Sequence, residues 1–177
     1  LLVLGASGGV GLAAVQLGKL MGARVIACAS SADKLATCRA HGADEVINYA
    51  TEDLREAIKR ITAGKGVDVV LDPVGGDLAE PCVRGMAWKG RYLVVGFAAG
   101  AIPKIPLNLA LLKGCAIVGV ACLDPAGGPE HFGKLVGWAA TGKLKPVVSA
   151  TYPLARTAEA LNDVANRKVQ GKIVILP

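Results

Sequence analysis

The chain has 177 residues, 53% hydrophobic and 19% charged, a composition typical of a folded globular domain with one sizeable core rather than of a disordered tail. Its longest unbroken apolar run, Cys115–Leu123, is much shorter than a membrane-spanning helix of about 20 residues, so no membrane partner is expected. The net charge of +6 comes from scattered lysines and arginines without interleaved aromatic residues, which predicts that the chain binds no nucleic acid.

The five cysteines are odd in number and form no Cys-x-x-Cys pair. Most of them lie inside apolar stretches, which favours reduced, buried thiols over a disulfide framework. This use of cysteine predicts a reducing compartment, the cytoplasm, with the mitochondrial matrix left open. Neither His41 nor His131 has a second ligand at metal-binding spacing, so no metal site is predicted.

The first predicted strand begins at Leu1, without an initiator methionine or a polar lead-in, and the chain is therefore expected to start within a longer protein. Further apolar runs follow, separated by amphipathic stretches of a length typical of crossover helices. Gly22, Gly42 and Gly64 are expected to end three of these helices in a left-handed conformation. The six predicted strands are Leu1–Leu4, Arg24–Ala29, Glu45–Asn48, Val67–Asp72, Arg91–Val95 and Cys115–Val120.

The third predicted helix shows the helical period, because Leu54, Ile58 and Ile61 fall on one face, and Thr51 is its predicted N-cap. Strands such as VDVVLD are apolar at consecutive positions, as strands covered on both faces should be. The sequence therefore predicts an α/β fold with an open, doubly wound, six-stranded parallel sheet of the Rossmann type. Beyond this sheet, a helix is predicted over Glu130–Gly142, followed by a strand, a helix and a strand.

The segment GASGGVG, from Gly5 to Gly11, joins the first strand to the first helix. The exposed amides of a first helical turn and the helix dipole make a site for a pyrophosphate, and glycines remove side chains that would block it. Gly8 would let the backbone approach the phosphates, while Gly9 and Val10 would offer amides. Gly11 would let the helix pack against the strand. Since the loop opens a repeated strand–helix series, it favours dinucleotide binding over a tight turn with a purely structural function.

The glycine spacing alone fits more than one enzyme family. In the form Gly-x-x-x-Gly-x-Gly it is typical of short-chain dehydrogenases, which also need a Tyr-x-x-x-Lys pair. None of the three tyrosines is followed by lysine at the fourth position, so that family is excluded. A mononucleotide P-loop is excluded as well, because no Gly-Lys-Ser/Thr closes the loop. The second form, Ala-x-Gly-x-x-Gly, uses Ala6, Gly8 and Gly11.

The loop belongs to a longer pattern that consists of four segments along the chain: GASGGVGLAAVQLGKLMGARVIA, HGADEVINY, GVDVVLDPVGG and GRYLVVGFAAG. With them, essentially the whole chain resembles the medium-chain dehydrogenase/reductase superfamily, and within it the zinc-free quinone oxidoreductase branch. Ala6 stands where the first glycine of the usual motif lies, as is common in this branch. The resemblance implies that residues 1–143 form an NADP(H)-binding Rossmann domain. Residues 144–177 would return to a GroES-like catalytic domain that precedes Leu1, so the catalytic residues are unknown.

The end of the second strand decides which nicotinamide cofactor is expected, because an NAD enzyme presents an acid there to the ribose 2′-hydroxyl. This chain has Ser30 and Ser31 at that place and Lys34 just beyond, which suits a 2′-phosphate. The resemblance implies that Ser31, Lys34 and Tyr49 hold that phosphate. Alternatively, Ser31 is only an N-cap, Lys34 a solvated helix residue and Tyr49 a partly buried strand end. Asp33 argues for the other cofactor, NADH, because its carboxylate could reach a ribose. On balance the sequence predicts NADPH over NADH.

The ends of the fourth and fifth strands should border the nicotinamide, since ligands of such sheets lie across the carboxyl ends of the strands. The segments DPVGG and VGFAAG fall there. The resemblance implies that four of their residues, Val74, Gly75, Gly96 and Phe97, line this side together with Asn108, although Phe97 could equally belong to the core. Asp72 is expected to be a turn or capping group rather than a general base. The predicted cofactor-binding residues are Ala6, Ser7, Gly8, Gly9, Val10, Gly11, Ser30, Ser31, Lys34, Tyr49, Val74, Gly75, Gly96 and Phe97.

The resemblance implies NADPH-dependent reduction of a quinone or an α,β-unsaturated carbonyl, a small-molecule electron acceptor, by hydride transfer without a metal. An enoyl reductase unit of a larger synthase and a nucleotide-binding or interaction module without turnover stay open as alternatives. A zinc-dependent alcohol dehydrogenase is less favoured, because the acid that it usually carries is missing. The family also implies a homodimer that pairs through the edge strand Cys115–Val120.

Overall fold

The computed structural model describes residues 1–121 and 128–177 and shows an α/β fold around a six-stranded parallel sheet. The strands of this sheet are β1 Leu2–Val3, β2 Ile26–Ala29, β3 Glu45–Asn48, β4 Val67–Asp72, β5 Met86–Val94 and β6 Ala116–Gly119. The helices are α1 Gly9–Leu20, α2 Ala32–Ala40, α3 Leu54–Ile61, α4 Ala79–Arg84, α5 Asn108–Lys113, α6 Gly128–Ala140 and α7 Thr157–Ala165. The strand order β3-β2-β1-β4-β5-β6 is that of a doubly wound sheet, which confirms the predicted fold class.

Both faces of the sheet are buried, and the side chains of β1 and β2 alternate between two cores. Leu2 and Leu4 pack on one face together with Ile26, whereas Val3 packs on the other face together with Val25. All five are at most 3% exposed. Because successive side chains of a strand point to opposite faces, a strand covered on both faces needs apolar residues at consecutive positions.

β5 begins earlier than predicted, at Met86 instead of Arg91. Its pairing with β4 changes register between Val67 and Val69, and Lys89 within it has a positive φ of 60°. This irregularity falls on the residues Trp-Lys-Gly, which interrupt the apolar pattern of the strand. A bulged segment of this kind pairs in the sheet without showing the period of two that marks a regular strand.

α3 packs with the predicted face inward, since Leu54 and Ile58 are both buried. The predicted N-cap, Thr51, is wrong. Asp53 caps the helix instead, and its carboxylate accepts a hydrogen bond of 2.8 Å from the amide three residues further on. Both residue types are good N-caps, and Asp53 takes this position because it stands directly before the first helical residue.

The first three helices end where the predicted glycines indicate. Gly22, Gly42 and Gly64 have φ values of 81°, 105° and 79°, the left-handed region in which glycine carries no steric cost. The predicted helix Glu130–Gly142 is also present as α6, although it begins and ends two residues earlier than predicted.

A second, two-stranded parallel sheet consists of β7 Val148–Pro153 and β8 Lys172–Leu176, with α7 between them. It is attached to the start of the chain, because the Gly171 amide donates to the Ser7 carbonyl at 2.8 Å. The side-chain amide of Gln16 also exchanges two hydrogen bonds of 3.0 Å with the Lys145 backbone. The predicted strand, helix and strand are thus confirmed, whereas their membership of a separate catalytic domain stays a prediction.

Three of the predicted buried thiols are buried. Cys28, Cys38 and Cys82 are free and 0% exposed. Burial raises the pKa of Cys38 to about 11 and raises the pKa of Cys28 and of Cys82 as well. These thiols are therefore protonated and unreactive near neutral pH. Cys115 is free and half-buried, and Cys122 lies outside the described residues.

Within residues 1–121 and 128–177, no helix combines the length and the apolar character that crossing a membrane requires. The same residues contain no group of three or more His, Cys, Asp or Glu side chains that could hold a metal ion.

Candidate dinucleotide-binding site

The loop between β1 and α1 lies where the strand order reverses, because β1 pairs with β2 on one side and with β4 on the other. The Ala6 amide donates to the Cys28 carbonyl and the Gly8 amide to the Gly5 carbonyl, each at 3.0 Å. The loop is therefore tied to β2 and folded back on itself. α1 begins directly afterwards at Gly9, with Gly8 as its extended N-cap. In open α/β sheets, this crevice at the carboxyl ends of the strands is where ligands bind.

The first turn of α1 is open to an anion. The first amides of any helix lack an acceptor within the helix, and here they belong to Gly9, Val10 and Gly11. The N-cap Gly8 has no side chain that could accept from them, and the first turn contains no acidic residue. These amides and the positive end of the helix dipole are therefore available to a negatively charged group.

Gly5 and Gly11 let the loop approach the segment after β4 and the helix α1 closely. A Cβ at Gly11 would lie 2.6 Å from the Ala6 Cα atom and closer still to the Gly5 carbonyl oxygen, so only glycine fits there. Gly5 has a left-handed φ of 56°, and a Cβ on it would lie 2.7 Å from the Val74 side chain. The predicted packing function of Gly11 is confirmed. Gly5 in addition holds the loop against the segment that follows β4.

Ala6 and Ser7 contribute backbone rather than side chains to the loop. Ala6 is 0% exposed and packs in the same core as Leu12, and Ser7 is 6% exposed. The carbonyl of Ser7 is already engaged by the Gly171 amide. Their burial keeps the floor of the loop rigid, which is what a backbone site for a phosphate requires.

Lys172, which sequence reasoning missed, covers the loop from the second sheet. Its side chain lies over Gly9, and its Nζ would be 2.7 Å from a Cβ placed on that glycine. Among the described residues, its ammonium group has no acidic partner. Nothing near Lys172 in the sequence indicates this position, because only the docking of β8 onto the loop creates it.

The end of β2 carries hydroxyls and a cation. Ser31 is the N-cap of α2 and accepts a hydrogen bond of 3.5 Å from the Lys34 amide, so the N-cap interpretation is confirmed. Capping uses a lone pair of the hydroxyl and leaves its proton free to be donated to a ligand. Ser30, Ser31 and Lys34 are half-buried, whereas Asp33, the first acid after β2, is exposed in the first turn of α2.

Tyr49 lies at the same edge of the sheet, one strand further out. Its amide donates to the Ala29 carbonyl at 3.2 Å, and the parallel register pairs Ala29 with Asn48. The residue after Ala29 is Ser30, so Tyr49 and Ser30 both follow directly the ends of neighbouring strands. The Tyr49 ring packs partly buried against the larger core. That these residues bind a phosphate stays a prediction.

Asp72 organises the ends of β4 and β5. Its Oδ1 accepts hydrogen bonds from the amides of Val74 and Gly75, at 2.7 and 2.8 Å. Its carbonyl oxygen accepts from the amides of Val95 and Gly96, at 2.9 and 3.2 Å. The residue is only 2% exposed. The predicted turn function is confirmed, because Asp72 accepts hydrogen bonds from the backbone amides that follow both strands.

The four residues predicted to line the nicotinamide side come together at these strand ends. Phe97 is 43% exposed and is therefore not a core residue. Its ring lies on Gly75, where a Cβ would approach it to 3.0 Å. Val74 and Gly96 follow the same two strands, and Asn108 begins α5 as an exposed residue. The structure thus places an apolar ring beside the loop that contacts Gly5.

Comparisons with known proteins agree with this arrangement. A family model described as "Zinc-binding dehydrogenase" matches residues 9–141. The quinone oxidoreductase-like protein 2 homolog of Nematostella vectensis is 39% identical over 98% of this chain, and the NAD-dependent alcohol dehydrogenase of Sulfurisphaera tokodaii is 34% identical over 100% of it. The crystal structure of Escherichia coli quinone oxidoreductase complexed with NADPH matches 99% of this chain with a TM-score of 0.90 and 32% identity. These matches cover 49%, 50% and 56% of those proteins, so the chain spans about half their length.

Replacing Gly11 with alanine is expected to lower the free energy of unfolding by about 1–3 kcal/mol or more, because the added methyl group collides with the backbone of the loop. Urea denaturation measures this change. Gly133→Ala is the control, since Gly133 lies in α6 with no atom within 4 Å of its would-be Cβ and should gain about 0.5–1 kcal/mol of helix stability. Equal stability of the Gly11→Ala variant and the parent would contradict the close packing of loop and helix.

Proposed function

Since the chain belongs to the medium-chain dehydrogenase/reductase superfamily, in its quinone oxidoreductase branch, we propose that it forms the NADPH-binding part of an enzyme that reduces quinones or α,β-unsaturated carbonyls. The observation that carries this proposal is the open first turn of α1 at the reversal of strand order. In the proposal, residues 1–143 are the cofactor domain and residues 144–177 belong to the catalytic domain.

The residues present fit a dinucleotide pyrophosphate. The amides of Gly9, Val10 and Gly11 would donate to its oxygens, and the Lys172 ammonium would add a positive charge beside them. The three atoms nearest to a would-be Cβ on Gly9 all belong to the outer part of the Lys172 side chain, from Cδ to Nζ. A pyrophosphate there would therefore first displace a flexible side chain.

The residues at the ends of β2 and β3 fit a 2′-phosphate. Ser30, Ser31, Lys34 and Tyr49 supply hydroxyl donors and one ammonium group, and no carboxylate stands at the position that would face a ribose 2′-hydroxyl. The Escherichia coli neighbour was solved with NADPH, which supports this preference. Because NAD-dependent alcohol dehydrogenases are also similar to this chain, NADH is the competing cofactor against which the preference must be tested.

The nicotinamide end would be held by two loops, one after β4 and one after β5, which are hydrogen-bonded to each other. The Ala98 amide donates to the Pro73 carbonyl at 3.1 Å, and the Ala99 amide to the Val74 carbonyl at 2.8 Å. Phe97, placed on Gly75, would present an apolar surface to the ring and limit the access of water to it. When bound, a reduced nicotinamide would supply the hydride, so this chain's residues need only bind and orient it without a metal.

We also propose a homodimer that forms through β6. Within the described residues, β6 pairs only with β5 and leaves its outer edge open. Ile117, Val118 and Val120 at this edge are 38%, 37% and 46% exposed. An apolar open edge is a template for pairing with another strand, and β6 of a second copy would satisfy it.

The buried thiols support a reducing compartment, the cytoplasm or the mitochondrial matrix, since Cys28, Cys38 and Cys82 are all free.

The function is tested by mixing the full-length protein with NADPH and 1,4-benzoquinone and following the absorbance of the reduced nicotinamide. We expect oxidation that depends on the quinone and persists in the presence of EDTA. Oxidation with an enoyl thioester but not with the quinone would favour an enoyl reductase unit. Binding of NADPH without oxidation by either acceptor would favour a module without turnover, and absence of binding would contradict the cofactor proposal.

Lys34→Ala is expected to weaken NADPH binding about 10–100-fold and to leave NADH binding nearly unchanged, because a charge-assisted hydrogen bond is worth about 1.5–3 kcal/mol and only NADPH carries the 2′-phosphate. Lys172→Ala should weaken both cofactors by a similar factor, since both contain the pyrophosphate. Isothermal titration calorimetry on the full-length protein measures the four affinities. Lys59→Ala, which removes an exposed cation from α3, is the control for net charge. An equal loss of both cofactors in Lys34→Ala would disprove the phosphate contact.

Val118→Lys is expected to shift the full-length protein from dimer to monomer, because it places a charge on the proposed apolar edge. Sedimentation velocity over a concentration series measures the distribution. Met21→Lys, which charges an exposed apolar position after α1, should leave the dimer intact. A parent protein that sediments as a monomer throughout the series would rule out the dimer.

A further inference from the structure

The two carboxylate oxygens of Asp72 have different partners, the loop after β4 and a tyrosine of β5. Tyr92, near the end of β5, donates a hydrogen bond from its hydroxyl to Asp72 Oδ2. The two side chains are 0% and 2% exposed, so the contact is closed to solvent. Oδ1 of the same carboxylate accepts from the amides of Val74 and Gly75. Tyr92 is thus linked to the loop through a single buried carboxylate.

Tyr92 is suited to hold this carboxylate and not to exchange a proton. Burial, followed by the hydrogen bond to Asp72, raises the pKa of the phenol above its usual range. The hydroxyl therefore stays protonated near neutral pH and remains a donor there. Its ring is among the largest fully buried side chains of the core, which fixes the position of the oxygen.

We propose that Tyr92 is a positioning residue that acts through Asp72 to fix the loop 73–76, and with it Phe97, at the nicotinamide end of the site. The proposal rests on the proposed function for its catalytic consequence. Its structural part, the fixing of the loop amides, stands on the hydrogen bonds alone.

Removal of the phenol oxygen would leave Asp72 Oδ2 buried without a partner. A buried charged acceptor that loses its donor has a large desolvation cost, and the carboxylate reduces this cost by turning towards water or towards another amide. Either movement takes Oδ1 away from the amides of Val74 and Gly75.

A shift of the loop would reach Phe97, since the two loops are bonded to each other. Gly75 supports the Phe97 ring, and the carbonyls of Pro73 and Val74 accept from the amides of Ala98 and Ala99. Hydride transfer depends steeply on the distance and angle between donor and acceptor, so a small displacement of this wall would lower the rate. The adenine end of the site, at β2 and β3, lies at the opposite side of β1 and would not move.

The test compares Tyr92→Phe with the parent in the full-length protein. We expect single-turnover hydride transfer from NADPH to 1,4-benzoquinone to slow about tenfold to a hundredfold, with the affinity for 2′,5′-ADP unchanged, because that probe occupies only the adenine end. Ile47→Val, a buried change in β3 far from both loops, is the control for general loss of stability. In the Asp72→Ala background, Tyr92→Phe should cause no further slowing, since its effect passes through the carboxylate.

Amide hydrogen exchange tests the same contact without any cofactor. In Tyr92→Phe, the amides of Val74 and Gly75 should exchange about tenfold faster than in the parent, and in Ile47→Val they should not. Unchanged exchange at these two amides, or an equal slowing of hydride transfer in the control, would overturn the inference. A parent protein that binds no NADPH would instead overturn the proposed function, and the exchange experiment would still decide whether Tyr92 holds the loop.

Discussion

The distance between α1 and the end of β1 depends on the absence of one methyl group at Gly11. Any side chain there would push the helix away from the Gly5 carbonyl and the Ala6 backbone. The first-turn amides would then no longer stand over the crevice between β1 and β4, and the helix dipole would point past it. The anion site is therefore a consequence of packing, since its donors are backbone groups whose position the loop alone decides.

The same constraint extends to the next loop. Gly5 lies so close to Val74 that the segment after β4 has to turn away immediately, and Asp72 makes this turn possible by accepting the amides of Val74 and Gly75. A carboxylate in this position acts like an N-cap placed at a strand end, because it replaces the sheet partners that the two amides have lost. The binding crevice is thus formed by the loops after β1 and β4, which contact each other through Gly5 and Val74.

Much of this arrangement could be predicted from the sequence because it depends on local patterns. The alternation of Val3 with Leu2 and Leu4, the glycines of the loop and the serine cap of α2 each require only neighbouring residues. The start of β5 could not be predicted, since its bulge breaks the period, and the N-cap of α3 required the choice between two equally suitable residues. Lys172 and Tyr92 were missed for a different reason. Each acts on a segment far away in the sequence, and only the folded chain brings the partners together.

The contact between β8 and the glycine loop has a consequence for how the sequence can change in evolution. The atoms nearest to a Cβ at position 9 belong to the Lys172 side chain, whereas those nearest to a Cβ at Gly11 are backbone atoms. The glycine there is thus required by its neighbour and not by the turn, in contrast to Gly11. A homologue with a short residue in place of Lys172 has room for alanine at position 9, so the two positions are expected to covary, although the backbone bond between Gly171 and Ser7 keeps the strand in place.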